Sequence, residues 1–271
     1  MKSIPLLTPN GIRVVMARQL MFVKSSLEMT VRRTLSVSAR RRLTRYLCWP
    51  PVGWVRFGSL RRVQPISRNW GSERGLPVDR YYIEHFLARQ ASDIRGHVLE
   101  IGDATYTRRF GGERVTKSDV LHVAENRPQV TILGDLTRAD HIPSDTFDCV
   151  ILTQTLQVIF DVPAALKTLY RVLKPGGVAL VTVAGISKIS RYDMDRWGYY
   201  WSFTSRSVQR LFGEVFPPSQ VTVEAHGNVL AAIAFLHGLA AEELRRAERD
   251  FFDPDYETLI TVRAVKPQAA T

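Results

Sequence analysis

The sequence predicts an α/β protein with a mainly parallel sheet, helices on both faces and an irregular basic N-terminal arm. Short apolar runs alternate with helical patterns from residue 79 onward, which is typical of strands joined by crossover helices. A length of 271 residues suits one large domain with an extension. The excess positive charge is confined to the N-terminal region, so it belongs to the extension and not to the domain.

The N-terminal arm is marked by its charge and by its turn-forming residues. Residues 1–80 hold 16 of the 37 Lys and Arg but only 3 of the 26 Asp and Glu. Glycine and proline recur between residues 50 and 77, which excludes long regular elements there. We assign residues 1–78 to a basic, partly disordered arm and residues 79–267 to the globular domain. Three tryptophans predict that part of the arm packs onto apolar surface: Trp49, Trp54 and Trp70.

The elements of the domain follow from periodicity and caps. Asp79 is expected to cap a helix whose apolar face includes Tyr82 and Phe86, and Thr204 is expected to cap a second one. A helix between the fourth and fifth strands is expected to stop at Pro175 and the glycine pair behind it. The seven predicted strands, in chain order, are HVLEIG, RVTKSDV, VTILGD, FDCVILTQTL, GVALVTV, QVTVEA and ETLITVRAV.

Acidic, amide and small residues stand at the ends of the first four strands. Ligands of a doubly wound sheet lie at the carboxyl ends of its strands, near the point where the strand order reverses. A carboxylate after the second strand can accept both hydrogen bonds of a ribose diol, and one after the third can accept from an adenine amino group. The residues concerned are Glu100, Gly102, Asp103, Asp119, Asp135 and Gln154.

Residues 95–185 resemble the class I S-adenosylmethionine-dependent methyltransferases, of the type 11 kind. The family motif ExGxGxG falls on Glu100, Gly102, Ala104 and Tyr106, so one of its three glycines is present. The family's FDxV motif is matched at Phe147–Val150. The junction LKPGG, which is the most specific signal, is matched at Leu173–Gly177.

This resemblance implies a Rossmann-like fold with a seven-stranded sheet and S-adenosylmethionine as the cofactor. The cofactor-binding residues that it implies are Glu100, Gly102, Asp103, Asp119, Asp135, Leu136 and Gln154. Tyr106 departs from the motif, which we interpret as a cofactor turn rebuilt along a different path and rejoining at Gly111 and Gly112. The alternative is a core strand in a protein that no longer binds the cofactor.

The segment after the fifth strand is expected to hold the acceptor. In the resembling family the acceptor often lies there, and aromatic rings beside carboxylates suit a sugar ring as well as a buried lid. We predict Asp193, Asp195 and Tyr199 as catalytic residues, the carboxylates as candidate bases. The predicted acceptor-binding residues are Arg191, Trp197, Tyr200 and Trp201. The acceptor is a small molecule or a glycan, and an oxygen of a polysaccharide precursor is expected by analogy alone.

Other classes of protein lack their motifs here. No GxGxxG, GxxxxGK[ST] or GxSxG occurs, which excludes the usual dehydrogenase, P-loop and hydrolase sites. The histidine spacing predicts no metal site. Nucleic acid is not expected as a partner, because the domain without its arm is nearly neutral. A non-catalytic partner protein is the alternative function, its arm contacting a membrane surface or a glycosyltransferase.

The expected location is cytoplasmic, with peripheral attachment at the inner membrane face as an option. Cys48 and Cys149 lie far apart and form no CxxC pair, which fits a reducing compartment. No apolar run approaches the roughly 20 residues of a membrane span.

Overall fold

A computed structural model describes residues 36, 38–39, 48, 50–124 and 128–268. Its contacts divide the chain into two compact units, Met1–Arg62 and Val63–Thr271. Residues 63–78, which the sequence analysis assigned to the arm, therefore belong with the larger unit. The assignment of residues 1–62 to an arm stays a prediction.

The first unit contains one short 3₁₀ turn among its described residues, Gly58–Leu60. Trp54 is 70% exposed there, and Trp49 lies outside the described residues. In the second unit Trp70 is partly buried and packs against core residues.

The second unit is built on one seven-stranded sheet in the order β3-β2-β1-β4-β5-β7-β6. β1 to β5 are parallel, and β7 runs antiparallel between β5 and β6. The mainly parallel, seven-stranded sheet expected from the sequence is thereby confirmed. The strands are β1 Gly96–Ile101, β2 Val115–His122, β3 Ile132–Leu133, β4 Phe147–Thr153, β5 Leu173–Ala184, β6 Val221–His226 and β7 Leu259–Val265.

Helices cover both faces of this sheet, and each face has its own core. Alternate residues of a strand point to opposite faces. In β4, Val150 and Leu152 therefore join the core beneath α2 and α4, while Cys149 and Ile151 join the core beneath α1 and α5. The helices are α1 Val78–Arg89, α2 Val162–Val172, α3 Arg191–Arg196, α4 Ser205–Gly213, α5 Val229–His237 and α6 Arg246–Asp250.

Helix boundaries differ from the sequence predictions in two places. α1 begins at Val78 after Pro77, so Asp79 lies in its first turn and is not its cap. α2 ends at Val172, and the chain enters β5 at Leu173 before it reaches Pro175. Gly177 lies within that strand. Glycine suits this position because a Cβ there would stand 2.9 Å from the backbone oxygen of Phe147. The cap at Thr204 is confirmed, with Ser207 completing a capping box.

α5 ends at Gly238, which adopts a left-handed conformation (φ 69°) and lies against the loop that precedes α1. The carbonyl of His237 accepts hydrogen bonds from the backbone N–H groups of Ile66 and Ser67, at 2.8 and 3.0 Å. A Cβ at Gly238 would stand 2.3 Å from the backbone oxygen of Ser67. This contact fixes the loop that carries Trp70.

We expect Gly238→Ala to lower the free energy of unfolding by at least about 1–2 kcal/mol, because it adds left-handed strain to a backbone clash. Gly213→Ala is the matched control, since a Cβ at Gly213 meets nothing within 4 Å. The control should be neutral or stabilising by up to about 1 kcal/mol. Equal unfolding midpoints in urea for the two variants would contradict a stabilising role for the contact between Gly238 and the loop before α1.

Candidate functional site

The candidate site lies at the carboxyl edge of the sheet, where the strand order reverses between β1 and β4. A doubly wound sheet leaves a crevice there, because the crossovers on its two sides lead away from each other. Two cavities of about 530 Å³ each open along this edge. Gln154 lines one and the next residue, Thr155, lines the other. The apolar cavity is lined chiefly by Ile101, Leu121, Leu136, Val158 and Ile159, and the polar cavity chiefly by Asp79, Arg80, Lys188, Asp193 and Tyr199.

Two predicted carboxylates shape the turn after β1 and line neither cavity. Glu100 is buried and accepts hydrogen bonds from the backbone N–H groups of Tyr106 (3.1 Å) and Thr107 (2.7 Å). Burial raises the pKa of Glu100, against the opposing effect of these bonds. Asp103 accepts from the backbone N–H of Thr105 at 2.7 Å. Both side chains hold the backbone of the turn in place.

The turn after β1, which lacks two glycines of the motif, leads into a short helical segment. Gly102 is left-handed (φ 98°), and a Cβ there would point into open space at the edge of the apolar cavity. The chain then coils through a π-helical turn at Thr107–Gly111. Tyr106 points away from the apolar cavity and accepts a hydrogen bond on its hydroxyl from Arg80 at 3.1 Å. The chain after Gly102 therefore follows a helical path. That this turn binds the cofactor stays a prediction.

The apolar cavity gathers Gly102, Asp135 and Leu136, three of the residues predicted to bind the cofactor. Asp135 caps a short 3₁₀ turn by accepting from the backbone N–H of Thr137 at 2.9 Å. His122 and Val123, at the end of β2, complete this side of the cavity.

Asp119 is not brought to either cavity. It lies inside β2, three residues before the end of the strand, and its carboxylate contacts His97 Nε2 at 2.6 Å and Lys117 Nζ at 3.2 Å. Burial raises the pKa of Asp119, but hydrogen bonds from His97, Thr131 and Lys117 outweigh burial and hold it below its usual value. The structure gives Asp119 an ion-pair role, and the strand end that reaches the cavity is His122.

The polar cavity contains charged groups from the start of α1 and from the loop after β5. Asp79 is buried in the first turn of α1, where desolvation raises the pKa of its carboxyl group. Arg80 follows it. Lys188, in the loop after β5, places its Nζ 3.4 Å from the centre of the Trp70 ring. The polar cavity is therefore lined both by the N-terminal end of the second unit and by the loop after β5.

Gln154, which lines the polar cavity, is held in a left-handed conformation (φ 51°), which is uncommon for a residue other than glycine. Its Oε1 accepts from Gln157 Nε2 at 2.9 Å. Among the described residues, Nε2 of Gln154 and Oε1 of Gln157 are buried without a hydrogen-bond partner. Backbone strain and unpaired amide groups coincide at a ligand-sized crevice, which favours a binding role for this turn.

The segment after β5 divides between the cavity and solvent. Ser190 caps α3, and Asp193 and Tyr199 line the polar cavity. Asp195 and Arg191 instead form an exposed ion pair at 2.9 Å on the outer face of α3. Neither Asp195, predicted as catalytic, nor Arg191, predicted to contact the acceptor, lines a cavity, because both lie on the face of α3 roughly opposite Asp193.

The predicted aromatic cluster is also divided. Trp197 and Tyr200 line the apolar cavity, while Trp201 lines neither cavity. The Trp201 ring stacks on Phe160 with centroids 6.0 Å apart, and its Nε1 donates to the backbone oxygen of Ile159 at 3.0 Å. Trp201 thus fastens the segment to the turn after β4.

The sequence analysis missed several residues that line the polar cavity. Asp79 was interpreted as a cap, Trp70 as part of the arm, and Arg80 and Lys188 were not singled out. They come from segments more than 100 residues apart, and no spacing in the sequence links them. Positive charge directly after the fifth strand was the one available signal for Lys188.

Two further features are absent from the described residues. They contain no group of three or more His, Cys, Asp or Glu side chains placed to hold a metal ion. None of their helices is long and apolar enough to cross a membrane.

Comparison with known proteins shows that part of the chain is similar to methyltransferases. Residues 101–181 match the family described as "Methyltransferase domain". Together with the seven-stranded sheet, this match confirms the resemblance to class I methyltransferases.

Three known proteins illustrate the similarity. The chain is 51% identical over 71 residues to the ubiquinone/menaquinone biosynthesis C-methyltransferase UbiE of Haemophilus ducreyi, which covers 24% of this chain and 27% of that protein. It is 31% identical over 143 residues to the malonyl-[acyl-carrier protein] O-methyltransferase of Serratia marcescens, which covers 49% and 55%. The N-methyltransferase NodS from Bradyrhizobium japonicum, solved in complex with S-adenosyl-L-homocysteine, has a TM-score of 0.47 and 16% identity, covering 78% of this chain and 97% of NodS. The chain thus spans about a quarter to about half the length of the two curated relatives.

The position of Asp119 leads to a prediction about stability and pH. Asp119→Asn should lower the free energy of unfolding at pH 7 by about 1.5–3 kcal/mol, the range for a hydrogen bond to a charged group. A carboxyl group whose pKa is lowered in the folded state stabilises the fold above its unfolded pKa of about 3.9, and loses this effect as pH falls through the folded pKa. The difference between variant and wild type should therefore shrink below about pH 4, as measured by urea unfolding.

The same variant should bind S-adenosylmethionine within about twofold of the wild type, less than 0.5 kcal/mol. A large loss of affinity with unchanged stability would return Asp119 to the role of ribose ligand.

Proposed function

We propose that this chain, whose residues 101–181 carry a methyltransferase domain, is an S-adenosylmethionine-dependent methyltransferase that acts on a small polar acceptor. The observation that carries the proposal is the pair of cavities lined by the consecutive residues Gln154 and Thr155, at the reversal of strand order. In this arrangement the adenosine part occupies the apolar cavity, and the acceptor enters the polar one.

The residues present fit the cofactor. Leu121 and Leu136 offer apolar surface to a purine ring, and the carboxylate of Asp135 is an acceptor for its amino group. The unpaired amide groups of Gln154 and Gln157 supply one donor and one acceptor for the zwitterionic end. Gly102 leaves room for close approach of a ligand to the backbone after β1.

The cofactor, when bound, supplies a methyl group already activated by the sulfonium. The protein then has to align the acceptor and exclude water, which contributes about 7–11 kcal/mol in well-oriented reactions. Trp197 and Tyr200 shield the apolar side of the crevice. On the polar side, Asp193 is placed to take the proton of an acceptor hydroxyl. Burial raises the pKa of Tyr199, so it stays protonated and acts as a hydrogen-bond donor.

A sugar hydroxyl as the acceptor stays our finer proposal. It is supported by the flat faces of Trp70, Tyr192 and Tyr199 beside the carboxylate of Asp193 in one cavity, since sugar rings present C–H faces and hydroxyl rims. The association with polysaccharide assembly, and contact with a membrane surface or glycosyltransferase through the arm, are further expectations from the sequence. A non-catalytic partner role predicts that the crevice binds no cofactor, so the next experiment separates the two functions.

Gly102→Ala should weaken S-adenosylmethionine binding at least about tenfold, or 1.4 kcal/mol, because its methyl group enters the cofactor cavity. Gly112→Ala is the matched control: Gly112 is also left-handed (φ 56°) with open space at its Cβ, but it lines neither cavity. It should share the strain and keep the affinity.

Calorimetric titration with S-adenosylmethionine and with S-adenosylhomocysteine measures both variants. Absence of binding to the wild-type protein at millimolar cofactor would refute the enzyme and support the partner role.

Asp193→Asn should reduce turnover at least about tenfold with cofactor affinity unchanged, since a general base contributes about 10²–10⁴-fold. Asp195→Asn is the control on the same helix, because its carboxylate is exposed and paired with Arg191. The assay follows transfer of labelled methyl from S-adenosylmethionine to a small-molecule extract of the source cells. Equal turnover in the two variants would remove Asp193 from the reaction.

A further inference from the structure

Lys188 is a cation held in the polar cavity without an acidic partner. Its side chain is partly buried, and burial together with the nearby Arg68 lowers its pKa. No carboxylate within the described part of the chain approaches its Nζ to ion-pair distance, and its close contact is the face of Trp70 at 3.4 Å. A desolvated cation beside a second cation is unfavourable unless an anion compensates it.

The backbone of its loop holds Trp70 in the position in which it contacts Lys188. Trp70 is left-handed (φ 57°), an uncommon conformation for a bulky residue. The buried Ser67 hydroxyl holds the loop by accepting from the backbone N–H groups of Asn69 (3.0 Å) and Gly71 (3.1 Å). A Cβ at Gly71 would stand 2.8 Å from the backbone oxygen of Gly238, so the loop packs tightly on α5. Strain retained at a cavity wall is typical of a functional position.

The other cation of the cavity already has partners. The guanidinium of Arg80 donates to the hydroxyl of Tyr106. Burial lowers the pKa of Arg80, but the charge of Asp79 and the contact with Tyr106 outweigh burial and hold it above its usual value. Lys188 is therefore the cation that a ligand in this cavity would meet uncompensated. Asp193 lines the same cavity, so one small molecule can contact both.

We propose that Lys188, seated on the ring of Trp70, binds an anionic group, carboxylate or phosphate, of the acceptor. The site as an anion site stands on the geometry above, and its assignment to the acceptor rests on the proposed function. The acceptor is then a small anion with a hydroxyl group, the anionic end at Lys188 and the reacting end toward Asp193 and Tyr199. A sugar acid or a sugar phosphate meets this description.

The test uses the full-length protein with inorganic phosphate, acetate and tetramethylammonium chloride as probes at constant ionic strength. The ¹³Cε resonance of Lys188 and the indole N–H resonance of Trp70 are followed by NMR, assigned with Lys188→Gln and Trp70→Phe. Phosphate or acetate should shift both resonances saturably and raise the titration midpoint of Lys188, because an anion stabilises the charged amine. Tetramethylammonium should do neither. A larger effect of phosphate indicates a phosphorylated acceptor, and a larger effect of acetate a carboxylate.

Three variants sharpen the result. Lys188→Gln should weaken anion binding, read from the Trp70 indole, at least about tenfold, whereas Lys188→Arg should stay within about threefold. Lys167→Gln, an exposed lysine outside both cavities, should bind as the wild type does. Absence of a saturable shift in the wild type, or equal binding in Lys188→Gln, would overturn the anion site.

Cofactor titration of the same samples separates the two proposals. Loss of cofactor binding with anion binding retained would refute the methyltransferase function and leave the anion site in place. Cofactor binding without anion binding would refute the anion site and leave the proposed methyltransferase function in place.

Discussion

The pairing of β1 with β4 is the constraint on which the rest of this structure depends. These neighbours in the sheet are separated in the chain by β2 and β3, so the crossovers on their two sides must lead in opposite directions. Both strands are buried on both faces: Leu99 of β1 and Val150 of β4 lie in one core, and Val98 of β1 and Cys149 of β4 lie in the other. The helices can cover the faces but not this point of the carboxyl edge, and the edge stays open as a crevice.

The turns at this edge are held by hydrogen bonds, and in one of them some amide groups stay unpaired and available to a ligand. Both carboxylate oxygens of Glu100 accept hydrogen bonds from the backbone of the turn after β1. These bonds stabilise a turn that lacks two of the three glycines of the ExGxGxG motif. The turn after β4 instead keeps a left-handed Gln154 and unpaired amides. The turn after β1 is thus stabilised by internal hydrogen bonds, whereas the turn after β4 keeps hydrogen-bonding groups that a ligand could pair with. This difference agrees with a binding role for the turn after β4.

The polar cavity is assembled by long-range contacts with little sequence signal. Trp70 reaches it because the loop before α1 is clamped to Gly238 at the end of α5. Lys188 reaches it from the loop after β5 and rests on Trp70. The chemistry expected of the acceptor, an anion bearing a hydroxyl, therefore depends on a contact between segments that lie more than 100 residues apart.

The sequence by itself determined the layered α/β fold, the number of strands and the sheet edge at which the cavities lie, because alternation of apolar runs and turn residues is a local property that burial enforces. It also placed Gly102, Asp135, Leu136, Asp193 and Tyr199 at the cavities, since residues that follow parallel strands share one edge. The sequence did not show that Asp119 lies inside β2, because that strand continues for three residues beyond it, to His122. It failed likewise for Asp195, because the outward face of a short helix is fixed only by what that helix packs against. Tertiary structure alone decided these orientations and brought Asp79, Trp70 and Lys188 together, since contacts between distant segments leave no periodicity in the chain.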